Sequence, residues 1–354
     1  MSPKADSAFR VRELRLMTAR IEPLPRPVKY ALVMAELNAR IVMALAKHPP
    51  AVVHCHDTMV LPAGAFAQIA LGSTLIYDAH ELESDKNGQT GALSAATLWI
   101  EKGVWPLLDA LISVSPSILV WYERHLGPKP ALCLLNSSEI STRTSRTSRT
   151  RIKASIGLTP DVPLYLYVGE FAPGRGIELL LDAFARTDES VHVAFIGSGA
   201  LRDDIRRFAD STENIHVLDP VPHDELVDFI QDADAGFCLI EDVSLSDRYC
   251  LPNKLFEYAF ADLPVIASTL PDMSQYVSSF NLGVCVETDE ASILAELKQG
   301  PPSVPTSVDR LKPLSWQVQA GNLIEFYRQV LARRQANRRK PRRRLTARRR
   351  RPAL

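Results

Sequence analysis

The sequence predicts an α/β protein built as two doubly wound parallel-sheet domains facing a cleft. Three observations predict it. Short apolar runs alternate with helix-patterned segments along most of the chain, the pattern of a parallel sheet covered by helices. Several of those runs end in polar clusters, as in V-V-H-C-H-D (52–57) and L-I-Y-D-A-H-E (75–81), at the edge where open α/β sheets place ligands. A Ser/Thr/Arg stretch from Ser137 to Arg151 has little to bury and reads as a flexible linker between two such halves.

At 354 residues the chain has room for two domains of ordinary size. Its formal net charge of zero hides a split. Residues 333–354 hold 12 Lys/Arg and no acid, which leaves 29 basic against 41 acidic residues, a net −12, in the first 332. A mildly acidic body with a polycationic, disordered tail follows. The tail suits an anionic membrane surface; specific nucleic-acid binding is not expected. The five cysteines show no C-x-x-C or metal-like spacing and read as small buried hydrophobes in a reducing cytosol. The longest uncharged run, Thr58 to Tyr77, contains Pro62, Gly64, Gln68, Gly72 and Ser73 and divides into a helix and a strand. No signal peptide or transmembrane segment is expected, and the protein reads as cytoplasmic, peripheral on a membrane at most.

Taken in order, residues 1–26 are polar, with a short helix around Arg10 to Arg20. Val28 to Lys47 has Leu32, Leu37, Ile41 and Leu45 at helical spacing and stops at Pro49-Pro50. Ala51 to Cys55 is a buried strand running into His54, His56 and Asp57. A small-residue helix follows, then a strand from Ser73 to Tyr77. Leu93 to Leu108 is helical with Pro106 near its end, Ala110 to Val114 is a strand, and Ala131 to Leu135 closes the first half. In the second half, strands are expected at 164–168, 191–196, 215–218, 235–240, 265–267 and 283–286, and a long helix at 316–332. The domains are therefore 1–136 and 153–313, with the linker at 137–152, a closing helix at 314–332 and the tail at 333–354.

The centre of the second half is the stretch from Ser246 to Asp272. Pro252 is expected at the first helical position, Leu255, Phe256, Ala259 and Phe260 form an apolar side, and the helix N-terminus opens at a sheet edge. Lys254 then sits in the first turn and Glu257 one turn on. An ordinary βαβ unit with a solvated Lys and Glu fits the same spacing. Gly169 to Gly176 forms a glycine loop that permits close ligand approach, and Arg175 opposes the dipole of the helix it opens.

The ordered set V-V-H-C-H-D, L-I-Y-D-A-H-E, D-A-L-I-S-V-S, Y-V-G-E-F-A-P-G-R-G-I-E, F-I-G-S-G, L-P-N-K-L-F-E-Y-A-F-A-D-L-P-V-I-A-S and S-W…Y resembles the GT-B nucleotide-sugar glycosyltransferases of family 4, the retaining group 1 type. The resemblance covers residues 51–332. It implies two Rossmann-like domains and transfer of a sugar from a UDP- or GDP-sugar to a glycan or lipid-linked acceptor. It places the donor on Gly169, Arg175, Gly176, Lys254, Leu255 and Glu257. His80 matches the histidine that reaches the reacting sugar, and His54, His56 and Glu81 fall on the acceptor side. Glu170 stands where the family carries a first cation, and Tyr249 where it often has a second Glu, so Lys254 is the candidate to replace the missing charge. No metal or other cofactor is expected, because Arg175, Lys254 and helix N–H groups can stabilise the leaving diphosphate. A nucleotide-sugar epimerase and a non-catalytic nucleotide-binding relative are the rival readings. Compared with the family the first domain also reads as truncated at its N-terminus, since nothing before Ala51 forms a buried strand and the first glycine is Gly64. That absence predicts weak or no transfer by the chain as it stands.

Overall fold

The computed structural model describes residues 11–22, 24–139, 151–188, 190–304 and 308–339. The first half opens with a single 3-10 turn, Thr18–Arg20, where a longer helix was expected. Helix α1 (Arg26–Lys47) follows. Strand β1 (Val52–His56), helix α2 (Leu61–Phe66), strand β2 (Thr74–Ala79), helix α3 (Gly91–Val104), strand β3 (Ala110–Ser113), helix α4 (Pro116–Leu126) and strand β4 (Ala131–Cys133) then form a parallel sheet of order β1-β2-β3-β4. Helix α3 ends sooner than its apolar pattern suggests. Pro106 has no N–H to continue the ladder, so Trp105–Leu107 tightens into a 3-10 turn. Helix α4 begins at Pro116 behind Ser115, whose side chain accepts from the Ile118 N–H at 3.4 Å.

Every residue of β2 is buried, because the sheet is covered on both faces. Leu75 and Tyr77 pack with Leu111, Ile118 and Tyr122 on one side. Ile76 packs with Ala110 and Ile112 on the other.

The second half contains helix α5 (Ile152–Ser155), strand β5 (Leu164–Glu170), helix α6 (Ile177–Phe184), strand β6 (His192–Ser198), helix α7 (Arg202–Ser211), strand β7 (Ile215–Leu218) and helix α8 (His223–Phe229). Strand β8 (Ala235–Cys238), helices α9 (Leu245–Arg248) and α10 (Asn253–Phe260), strand β9 (Val265–Ser268), helix α11 (Pro271–Ser279), strand β10 (Gly283–Val286), helix α12 (Glu290–Gln299) and helix α13 (Val308–Leu311) complete it. The sheet order is β10-β9-β8-β5-β6-β7, all parallel. The chain runs outward from β5 to β7, returns to lay β8 beside β5, then runs outward the other way. The strand order therefore reverses between β5 and β8, and such a switch point opens a crevice at the carboxyl ends of both strands. On the other side of β5, Gly197 of β6 lets the two backbones approach closely. A Cβ there would lie 1.8 Å from the Gly169 carbonyl oxygen, at φ +156. Gly197→Ala should cost about 3 kcal/mol or more. Urea melts showing an unchanged midpoint would disprove this close-approach argument.

Helix α14 (Trp316–Arg339) starts on the second domain and crosses to the first. Trp316 donates its N–H to the Ser138 carbonyl at 3.0 Å. Phe326 and Val330 then cover Ile76, Ala110 and Ile112. The tail begins later than its composition predicts, because residues 333–339 continue helix α14. Arg334 pairs with Asp109 and donates to the Gly72 carbonyl at 3.0 Å, so this first part is held by hydrogen bonds the composition could not reveal. The rest of the expected tail, 340–354, and most of the linker, 140–150, lie outside the described residues. A second tie across the cleft is Asp272 of α11, which accepts from Ser117 N at 3.0 Å and Ser117 Oγ at 2.9 Å. Among the described residues, no helix is long and apolar enough to cross a membrane.

Candidate functional site

The crevice predicted by the strand-order reversal exists. A cavity of about 500 Å³ lies between the domains, lined on the second-domain side by Gly169, Glu170, Arg175, Asp247, Asn253, Lys254 and Glu257. A neighbouring recess of about 490 Å³ runs past Gly197, Gly199 and Val221 and shares Gly169, Glu170 and Glu257 with it. Residues from the ends of β5 and β8 meet here because those strands are neighbours.

Lys254 dominates this wall. Its side chain is buried, and its Nζ has no hydrogen-bond partner among the described residues. The ammonium sits 3.8 Å from the centroid of the Tyr167 ring, whose face offers a partial substitute for water. Burial lowers its pKa from 10.5 to about 8, and nearby Arg175 adds to the lowering. Arg175 is held at 2.9 Å by Asp247, a buried carboxylate that also accepts from Ser244 Oγ at 2.7 Å. Glu257 follows Lys254 by three residues on α10 and so shares its face. This wall thus presents two cations, Lys254 and Arg175, and three carboxylates, Glu170, Asp247 and Glu257, to one crevice.

The first-domain wall is built from β1 and β2. The parallel register sets His54 opposite Ile76 and His56 opposite Asp78. Residues i and i+2 of a strand share a face, so the rings of His54 and His56 stack with centroids 4.3 Å apart. Asp78 Oδ2 lies 2.9 Å from His54 Nε2 and 3.5 Å from His80 Nε2. His80 Nε2 is also 2.9 Å from His56 Nδ1. Burial pushes the Asp78 carboxyl up, but hydrogen bonds from His54 and His80 outweigh it and hold it well below the usual range. The same Asp78 bond raises His80, whereas burial and the neighbouring His54 lower His56. Asp57, just after β1, adopts φ 62, ψ 165, a conformation nearly reserved for glycine. Its carboxylate comes within 4.0 Å of His80 Nδ1.

Of the residues expected at a site, Gly169, Arg175, Lys254, Glu257, His80 and Glu81 line the cavity. Gly176 does not; it is the N-cap of α6 at φ +69 and packs against Leu239, where a Cβ would come within 2.6 Å. Leu255 does not line the cavity either: its side chain is fully buried among the apolar residues beneath α10. Pro252 is the N-cap, with ψ 146, so α10 starts one residue later than expected. Glu81 is not a partner of His80. It lies 3.5 Å from Lys86, while Asp78 and His56 flank the histidine. Residues 54 and 56 stand beside the cavity rather than in its lining.

Sequence reasoning missed Asp247, Tyr167, Asp78 as the hub of the histidines, and the strained Asp57. It also missed Glu83, whose burial raises its pKa to about 7 against the pull of Lys86 at 2.7 Å. Only the His-x-His spacing was a usable signal, since on a strand it places both rings on one face.

Two family models match the chain. Residues 2–136 match the glycosyl transferase 4-like domain and residues 162–299 match the glycosyl transferases group 1 domain. Among curated proteins, the α-maltose-1-phosphate synthase of Mycobacterium tuberculosis is 24% identical over 340 residues, covering 88% of this chain and 87% of the relative. The D-inositol 3-phosphate glycosyltransferase of Rhodococcus jostii is 26% identical, covering 82% and 69%. Among solved structures, sucrose-phosphate synthase from Thermosynechococcus elongatus superposes with a TM-score of 0.72 at 17% identity, covering 90% of this chain and 83% of that one. Anabaena HepE in complex with UDP-glucose gives 0.61 at 13% identity, covering 85% and 82%.

Proposed function

The chain belongs to the group 1, family 4 type of GT-B glycosyltransferases, and from that premise we propose that it moves a sugar from a UDP- or GDP-sugar to a glycan or lipid-linked acceptor with retention at the anomeric carbon. One observation carries the donor assignment: Lys254 is a buried ammonium with no hydrogen-bond partner among the described residues, facing a crevice at a strand-order reversal. A diphosphate there supplies the acceptor oxygens that Lys254 lacks. It also meets Arg175 and the N-terminus of α10. Glu257, at the junction of the two recesses, is placed to take ribose hydroxyls, with the base in the recess past Gly197.

Breaking the glycosidic bond to the leaving diphosphate builds charge on phosphate oxygens. Lys254 and Arg175 are already positioned, so their interaction strengthens as that charge grows. Lys254 thus occupies the role left open by Glu170. On the other wall His80, oriented and made more basic by Asp78, faces the reacting sugar. On the same wall Lys86 pairs with Glu81 and Glu83. Comparison with UDP-glucose-bound HepE supports a nucleotide-sugar donor.

Arg175→Ala should weaken nucleoside-diphosphate binding by about 1.5–3 kcal/mol, the range of a charge-assisted hydrogen bond. Glu257→Ala should weaken nucleoside binding with or without the diphosphate. Calorimetry with both affinities unchanged would sink the donor site.

One observation favours a second reading. His80, Asp57 and the Glu83 carboxyl near neutrality form a set suited to proton transfer, as an epimerase needs. Product analysis over a donor panel separates transferred sugar, interconverted donor, and the binding-only case with neither.

A further inference from the structure

We propose that the first domain carries a transition-metal site, in which His54, His56 and Asp78 hold a Zn²⁺-type ion on the cleft side of β1 and β2. One nitrogen from each histidine and one Asp78 oxygen lie within 4.8 Å of one another. Asp78 Oδ2 is 2.9 Å from His54 Nε2 and 3.5 Å from His56 Nδ1. Bonds of the length zinc makes to nitrogen and oxygen separate tetrahedral ligand atoms by about 3.4 Å. The two spacings to Asp78 lie near that value, and the exposed His56 ring, now stacked on His54 with centroids 4.3 Å apart, must turn out of the stack so that the plane of each ring contains the ion. The fourth position faces the cleft, where His80 Nε2 lies 2.9 Å from His56 Nδ1 and 3.5 Å from Asp78 Oδ2.

The donor set selects the ion. Imidazole nitrogens with one carboxylate suit zinc and its neighbours, whereas Mg²⁺ and Ca²⁺ call for oxygen ligands. A second, independent feature supports ligation. His54 turns Nε2 toward Asp78 and gives its other ring nitrogen, Nδ1, to the Tyr327 hydroxyl from α14. A hydrogen bond on the far nitrogen fixes the tautomer and ring plane, as metal-ligating histidines require. The backbone reinforces the arrangement, because the His-x-His pair shares a strand face and the register delivers Asp78 beside His56. The site departs from the sequence expectation of no metal. It lies on the opposite wall from Lys254 and Arg175 and does not depend on the donor assignment.

The test uses the full chain, stripped with a chelator and titrated with Co²⁺, whose visible spectrum reports coordination, followed by Zn²⁺ competition. One equivalent should bind with the intense bands of a four-coordinate ion and be displaced by Zn²⁺. His56→Ala and Asp78→Asn should each lower the affinity more than about 100-fold, and Tyr327→Phe about 10-fold. His56 is 58% exposed, so its loss leaves the core intact, which near-UV circular dichroism checks. His216→Ala alters the other close histidine pair, 2.9 Å from His192, and should leave binding unchanged. No saturable binding, equal binding by His56→Ala, or loss through His216→Ala instead would overturn the proposal.

Discussion

Lys254→Met is expected to make the ligand-free protein more stable and the nucleotide complex much weaker. The buried ammonium has lost water and, among the described residues, has no hydrogen bond in return, with the Tyr167 ring face and the Glu257 charge as partial compensation. A pKa lowered from 10.5 to about 8 corresponds to about 3 kcal/mol acting against the charged form. Methionine matches the lysine side chain as far as Cε and removes that penalty, so a gain of about 1–3 kcal/mol in urea melts at pH 7 is expected. Affinity for nucleoside diphosphate should fall by about 2–3 kcal/mol in calorimetry, since the anion loses its buried partner.

The pH dependence follows with a definite sign. Because the folded pKa of Lys254 is depressed, the unfolded chain binds more protons between pH 8 and 10.5. The penalty is complete below about pH 8 and is relieved as pH rises toward 10.5. Lys254 therefore contributes increasing stability across that window, and Lys254→Met should lose this increment. Diphosphate affinity runs the other way in the unmodified protein and declines above about pH 8 as the ammonium is lost. Equal melts and equal affinities for the two proteins would remove Lys254 from the site.

His80→Ala is the second large effect expected. Transfer should fall by about 100-fold or more, while nucleotide affinity stays within a few-fold because the diphosphate rests on the opposite wall. Asp78 is a positioning residue for His80, and its bond raises the histidine pKa above the ordinary 6.5. Asp78→Asn should therefore move the limb of the pH–rate profile due to His80 to lower pH. An unmoved limb would separate the two residues functionally, and a His80→Ala protein with unchanged kcat would end the assignment of His80.

The two domains, the parallel sheets and most strand positions were legible because each element carries its own period. Val265–Ser268 is a short wholly apolar strand, and α10 repeats Leu255, Phe256 and Ala259 along one side. Misreadings fell at ends. Pro106 cut α3 short, Pro252 proved to be a cap, and the arginine run began as helix because Arg334 found Asp109 and the Gly72 carbonyl. Those outcomes depend on partners distant in the chain.

The candidate site divides along the same line. Local spacing alone placed Lys254 and Glu257 on one helix face, Arg175 at a helix start and His80 at a strand end, because those relations lie within a few residues. The tertiary structure decided that β8 lies beside β5, which turns two separate loops into one crevice and brings Asp247 to Arg175. It decided that β1 pairs with β2 in the register that joins H-C-H-D to D-A-H-E around Asp78, and that α14 crosses back to set Tyr327 against His54. It decided, too, that Lys254 is buried rather than solvated. Periodicity reports which face of an element is apolar and carries no information on which other element will cover it; that choice is made by packing and strand pairing between distant segments.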